Sequence, residues 1–150
     1  MENYTTINKS FRALAKGSLN NFSLLANASA FLNETLGNRT NWCGFYLFEN
    51  GLLHLGPFQG KVACTPLYLD KGVCGISASQ KKTLIVPNVH DFAGHIACDS
   101  ASKSEIVVPI IKNTILYGVL DIDSSDFSTF DQNDKEGLEN FVKILVENLI

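Results

Sequence analysis

The sequence lacks the features that direct proteins to nucleic acid or into membranes. Lys and Arg together number 12 and Asp and Glu number 15, which gives a net charge of −3. No basic cluster is present to neutralise phosphates, so we expect no nucleic-acid binding. No apolar run approaches the roughly 18 residues of a membrane span, and no basic segment followed by an apolar one predicts a signal peptide. We therefore expect a cytoplasmic protein, whose cysteines stay reduced unless they do redox chemistry.

Closely spaced cysteine pairs are also absent. Structural zinc sites typically carry Cys-x(2–4)-Cys pairs, whereas Cys64, Cys74 and Cys98 lie much further apart in the chain. We therefore expect no metal, and a zinc site made by these three cysteines with His95 is the less favoured alternative. Cys43 lies in a predicted strand, where the alternation of side chains favours a place in the core.

The composition is that of a globular domain. Apolar residues make up 45% and charged residues 18% of the chain, and no repeat or low-complexity tract divides it, so we predict one domain over residues 1–150. Apolar spacing and turn residues predict helices at 8–15, 23–36, 75–80 and after Asp131, which is a suitable N-cap. Alternating patterns predict strands at 42–48, 52–55, 83–86, 105–111 and 114–123.

This order of elements predicts an α+β fold. Two hairpins imply a central antiparallel sheet, and the helices near both ends of the chain are expected to cover one of its faces. Loops would then form a pocket on the other face. The longest of them, at 88–104, lacks any periodicity, and such loops are usually functional.

Cys98 is the strongest candidate for a reactive residue. It lies in the segment Gly94-His95-Ile96-Ala97-Cys98-Asp99, whose Gly, His and Asp residues are unsuited to a core but typical of a loop that tunes a thiol. A sulfenic acid formed on Cys98 would be resolved by a second thiol. Spacing alone does not decide whether Cys64 or Cys74 has that role.

Three acidic residues form a second candidate group. Asp121 and Asp123 are two positions apart in a predicted strand and so project from the same face, and Glu105 begins the partner strand of that hairpin. Converging carboxylates suit an ammonium ligand, and one held protonated by its neighbours can act as an acid. Ordinary acids at a solvated strand end are the alternative. Trp42, the only Trp in the chain, either lines the same pocket or packs in the core.

Six segments of the sequence resemble the free methionine-(R)-sulfoxide reductases, which are GAF domains. They include Gly72-Val73-Cys74-Gly75 and the Cys98 segment quoted above, and they follow one another in order along most of the chain. The segments lie at 41–46, 55–64, 72–75, 94–99, 104–109 and 118–124. The cysteines make this resemblance specific, because GAF domains in general share the fold but not these thiols.

The resemblance implies an enzyme that reduces free L-methionine (R)-sulfoxide, depends on thioredoxin, needs no cofactor and forms a homodimer. Cys98 matches the family's nucleophile, Cys64 its resolving cysteine and Cys74 a third cysteine that assists or substitutes. The positions that bind and polarise the substrate are matched by Trp42, Glu105, Asp121 and Asp123.

Two functions from other classes remain open at this stage. A GAF sensor module would bind a small molecule without turnover and would not depend on Cys98. A thiol redox switch would be oxidised reversibly by peroxide and would ignore methionine sulfoxide.

Overall fold

The computed structural model describes residues 3–96 and 98–150. This part of the chain contains four α-helices and six β-strands, joined by loops. Met1, Glu2 and Ala97, the last of which belongs to the Cys98 segment, lie outside the described residues. The helices are α1 Tyr4–Ala15, α2 Asn21–Leu36, α3 Gly72–Gln80 and α4 Gln132–Asn148, with 3-10 turns at Gly37–Arg39 and Val89–Asp91. The strands are β1 Trp42–Glu49, β2 Leu52–Gln59, β3 Leu67–Tyr68, β4 Leu84–Val86, β5 Ser104–Lys112 and β6 Ile115–Ser124.

The strands form one antiparallel sheet in the order β3-β2-β1-β6-β5-β4. The larger apolar core lies on one face, where α1, α2 and α4 cover it. The smaller core lies on the opposite face, beneath α3 and the loops. The predicted α+β architecture is thus confirmed. Among the described residues, no helix is both long enough and apolar enough to cross a bilayer.

Polar caps rather than apolar residues fix where the first two helices begin. α1 begins at Tyr4 instead of residue 8, and the Asn3 side chain accepts a hydrogen bond from the Thr6 N–H at 2.9 Å. α2 begins at Asn21 instead of residue 23, and Asn20 caps it in the same way. Asn is a strongly preferred N-cap, so both helices start where the first backbone N–H groups find an acceptor.

β2 is longer than its sequence predicts. The predicted strand ends at Leu55, whereas the observed strand continues through Gly56 and Pro57 to Gln59. β3 pairs only with the first two residues of β2, so the outer edge of β2 is unpaired where Pro57 lies. A proline, which lacks an N–H, is tolerated at such an edge.

α1 and α4 hold the two ends of the chain together in the larger core. The rings of Phe11 and Phe141 stack with their centroids 3.9 Å apart. The Tyr4 hydroxyl donates a hydrogen bond to Asp134, at 2.7 Å, and Asp134 forms the capping box of α4 with Asp131. Gly137 of α4 faces the Tyr4 ring so closely that a Cβ there would overlap it.

We predict that Gly137→Ala destabilises the protein by about 1–3 kcal/mol, because the added methyl group overpacks a filled contact. Urea unfolding followed by circular dichroism measures the change. Asn140→Ala, at an exposed position of the same helix, is the matched control and should change the free energy of unfolding by no more than about 0.5 kcal/mol. Equal stabilities of the two variants would contradict the packing described here.

Candidate active site

The sheet register places three of the predicted site residues in one row across neighbouring strands. Asp123 of β6 pairs with Trp42 of β1 on one side and with Glu105 of β5 on the other. Asp121 lies two residues from Asp123, on the same face, opposite Gly44 of β1. The alternation of β6 therefore brings both aspartates to the side of the sheet that carries the smaller core.

α3 closes this row from above and contributes a thiol. Cys74 is buried in the first turn of α3, and its sulfur and one oxygen each of Glu105 and Asp121 lie within 4.8 Å of one another. Glu105 and Asp121 are each only 6% exposed, and Asp123 is half-buried. Such burial is unusual for acids, which are seldom enclosed without a partner.

Burial raises the pKa of all three carboxyl groups. Glu105 and Asp123 have pKa values well above the usual range, because desolvation disfavours the charged form and the Asp121 charge adds to it. The pKa of Asp121 is raised by burial, but hydrogen bonds from Glu105, Asp123 and Cys74 oppose that rise. These hydrogen bonds favour the ionised form of Asp121. Desolvation, followed by the Asp121 and Glu105 charges, likewise raises the pKa of the Cys74 thiol.

Two of the predicted site cysteines lie on loops that line or flank the pocket. Cys64 and Cys98 are joined by a disulfide, with their Cα atoms 5.7 Å apart. Cys64 is half-buried and Cys98 is exposed. The Tyr46 hydroxyl donates a hydrogen bond to the Cys64 carbonyl oxygen, at 2.9 Å, so the sheet holds the Cys64 loop from below. Cys43 and Cys74 are free thiols.

Trp42 is buried, being 3% exposed, yet it also lines the pocket. Its indole N–H donates to the Lys61 carbonyl oxygen, at 3.1 Å, and its ring stacks on Phe58 at 5.2 Å. Gly60 permits this arrangement, since it has φ +137° and a Cβ there would lie 2.6 Å from the Trp42 Cδ1 atom. The two interpretations of Trp42, pocket wall and core residue, are therefore both correct.

Sequence reasoning missed a polar cluster that supports the Cys98 loop. The Asn41 amide donates to Asp99 at 3.3 Å and to Ser102 at 3.1 Å, and Asp99 accepts a hydrogen bond from the Ala101 N–H at 2.9 Å. The contact joins residues about 60 positions apart, which no local pattern reveals. The position of Asn41 directly before Trp42 was the one available signal.

The remaining predicted residues divide between the pocket and the core. His95 lines the pocket, half-buried, and its pKa is lowered by burial and by the neighbouring charge of His90. Cys43 is fully buried on the helix side of the sheet, which confirms its assignment to the core. The alternative zinc set of Cys64, Cys74, Cys98 and His95 is not assembled, because two of its thiols form the disulfide.

The pocket encloses a free volume of about 60 Å³, room for a few water molecules or a small ligand. The three acids form its acid end. The lining also includes Lys71, Gly72 and Val73 at the start of α3, where no side chain caps the helix. Free backbone N–H groups at a helix N-terminus favour an anion, so the acids and this helix start together suit a zwitterion.

Comparison with known proteins gives consistent matches. The model of the GAF domain matches residues 23–147. The chain is 46% identical to a free methionine-R-sulfoxide reductase of Escherichia coli (strain K12), over 94% of this chain and 85% of that protein. It resembles the structure of fRMsr of Staphylococcus aureus in complex with substrate, with TM-score 0.94 and 48% identity over 100% of this chain and 97% of that one. A substrate complex of the free methionine-R-sulfoxide reductase from Neisseria meningitidis has TM-score 0.93 and 37% identity, over 97% and 87%.

We predict that Glu105→Gln stabilises the ligand-free protein increasingly as the pH rises. The pKa of Glu105 is raised in the folded state, so its ionisation costs nothing well below pH 4.5, its usual value, and opposes folding as the pH climbs toward the folded-state value. Urea unfolding of the disulfide form, at several pH values from below 4.5 upward, measures how far the free energy of unfolding of the variant differs from that of the wild type. Glu34→Gln removes one acid at an exposed helix position and is the control. The prediction would be refuted if the change in the free energy of unfolding caused by Glu105→Gln did not depend on pH.

Proposed function

The chain belongs to the GAF domain family, as its sequence predicts, and we propose that it reduces free L-methionine (R)-sulfoxide to methionine with its own thiols as the electron source. The observation that carries this proposal is the small pocket that Cys98 shares with Glu105, Asp121 and Asp123. Similarity to reductases and to their substrate complexes along nearly the whole chain supports it.

The charges of the free amino acid match the acids and the start of α3 in the pocket lining. In this proposal the substrate ammonium group lies against the acid end, where hydrogen bonds favour the ionised form of Asp121 and where Glu105 and Asp123 are neighbours. The substrate carboxylate meets the uncapped N-terminus of α3. The methyl group packs against Trp42, a contact of the kind that thioethers make with aromatic rings. A peptide-linked sulfoxide lacks one or both charges and would leave buried groups unpaired, which explains selection for the free amino acid.

The chemical step transfers oxygen from the substrate sulfur to Cys98. The Cys98 thiolate attacks the sulfoxide sulfur, and an acid among Glu105, Asp121 and Asp123 protonates the sulfoxide oxygen as charge develops on it. The raised pKa of Glu105 and of Asp123 keeps protons available for this step. The protonated oxygen then passes from the substrate sulfur to the Cys98 sulfur as the new sulfur–sulfur bond breaks. Methionine leaves and Cys98 becomes a sulfenic acid, so the thiol is oxidised and the sulfoxide is reduced by the same two electrons.

The disulfide is the next species in the proposed cycle. The Cys64 thiol condenses with the Cys98 sulfenic acid, which releases water and forms the bond present in the structure. We assign Cys64 as the main resolving cysteine. Cys74, which lines the same pocket but is buried against Asp121, is the substitute.

The external reductant in this proposal is thioredoxin. Cys98 is exposed, and two exposed apolar side chains, Val62 and Ile96, lie near the disulfide in sequence, so a protein dithiol has access to it. We further propose a cytoplasmic protein with one domain, which acts as a homodimer and uses no cofactor and no catalytic metal.

We predict that the reduced protein releases methionine from the free R sulfoxide and not from the S epimer, with dithiothreitol as reductant. Cys98→Ser should have no detectable activity, because no other thiol takes the position of the nucleophile. Cys43→Ser, which alters a thiol in the opposite core, is the control and should retain activity. Absence of turnover with either epimer, with the thiols shown to be reduced, would refute the proposed function and favour a ligand-binding module.

We predict that Asp121→Asn lowers kcat/KM for the free R sulfoxide by about 10²- to 10⁴-fold, the usual contribution of a positioned acid or base. Asp126→Asn, on the exposed turn after β6, removes the same charge outside the pocket and should leave kcat/KM unchanged. Steady-state kinetics with each variant measure both values. Equal kcat/KM for Asp121→Asn and the wild type would show that the acid end does not contact the reacting substrate.

A further inference from the structure

Three donor atoms typical of zinc ligands converge at the acid end of the pocket. The Cys74 sulfur and one carboxylate oxygen each of Glu105 and Asp121 lie within 4.8 Å of one another, and all three side chains are buried. A helix, α3, and two central strands, β5 and β6, supply them. The group is therefore held by regular elements of the fold.

A second observation is that none of the described residues forms a salt bridge with this group, although His95 lies close enough to influence Asp121. The Oδ1 atom of Asp121 is buried and accepts no hydrogen bond from the described residues. Within residues 3–96 and 98–150 the ion pairs are Arg12–Glu147 and Arg39–Asp134, both outside the pocket. Since a buried carboxylate oxygen requires a donor or a cation, the acid end is suited to a positive ligand.

We propose that this end of the pocket binds Zn²⁺ through Cys74, Glu105 and Asp121. Zinc accepts both cysteine sulfur and carboxylate oxygen, whereas Mg²⁺ and Ca²⁺ require oxygen ligands only. Zinc–ligand bonds of about 2.0–2.3 Å draw the donor atoms closer together than 4.8 Å, and rotation of the two carboxyl groups provides the movement. The fourth position faces the pocket and is open to water.

The metal has an inhibitory role in this proposal. It occupies the place of the substrate ammonium group, so zinc and methionine sulfoxide exclude each other. This part of the inference rests on the proposed function, whereas the metal site itself does not. The site remains complete when Cys64 and Cys98 are oxidised, since neither of them is a ligand.

The test uses the disulfide form of the protein, without any added thiol, titrated with Co²⁺ and then with Zn²⁺. In this form Cys43 and Cys74 are the free cysteines, so cobalt bound to Cys74 should give a sulfur-to-cobalt charge-transfer band in the near ultraviolet. Zinc should abolish the band by displacing cobalt. Cys43→Ser should retain the band, and Cys74→Ser should lose it.

A second pair of variants keeps the thiol and alters the carboxylates. Glu105→Gln and Asp121→Asn should each weaken Co²⁺ binding by at least about tenfold, since even the loss of an indirect partner of a metal ligand costs 10- to 100-fold. Circular dichroism of every variant establishes that it is folded. The absence of a band in the wild type, or a band that persists in Cys74→Ser, would overturn the metal site.

The two proposals fail separately. Free R sulfoxide added to the cobalt-loaded disulfide form should bleach the band, and a band unchanged at saturating sulfoxide would overturn the mutual exclusion. Turnover by a protein that gives no band would overturn the zinc site and leave the reductase proposal intact. A band in a protein without turnover would support the zinc site and refute the reductase proposal.

Discussion

The burial of three carboxyl groups beside one thiol is the constraint on which the rest of the site depends. The register of β1, β6 and β5 places Asp123 between Trp42 and Glu105, and α3 covers the row. No ion pair to these acids is present among the described residues, and burial raises the pKa of all three. A proton, an ammonium group and a metal ion are alternative ways to satisfy the same group of atoms. In these proposals, acid catalysis, recognition of a free amino acid and zinc binding share one physical origin.

The fold places the acid end of the pocket and the disulfide cysteines on different kinds of element. The acids lie on the central strands, where the ladder fixes their positions, while Cys64 and Cys98 lie on loops above them. This division suits a cycle in which one pocket holds a substrate and later exposes a disulfide, because loops change conformation more easily than strands. The Tyr46 hydroxyl links the two parts through the Cys64 carbonyl oxygen.

Sequence patterns predicted those features of the structure that depend on neighbouring residues alone, such as strand alternation and helix ends. Alternation along β6 placed Asp121 and Asp123 on one face, and the stop at Gly37 and the cap at Asp131 ended and began helices as expected. The extension of β2 through Pro57 was missed, because the absence of a partner at that edge is a property of the whole sheet. The junction between Asn41 and the Cys98 loop was missed for the same reason. Spacing left the partner of Cys98 open between two thiols, and only the resemblance to a family pointed to Cys64.

The most direct test of the account is a single turnover with the reduced Cys64→Ser/Cys74→Ser double variant, which keeps Cys98 but has neither resolving thiol. Mixing it with a slight excess of free R sulfoxide in the presence of dimedone, followed by peptide mass spectrometry, locates any sulfenic acid. The proposed mechanism predicts an equimolar release of methionine and a dimedone adduct on Cys98, which lines the same pocket as the acids. Release of methionine with the adduct on Cys43, or no release from the fully reduced variant, would contradict it.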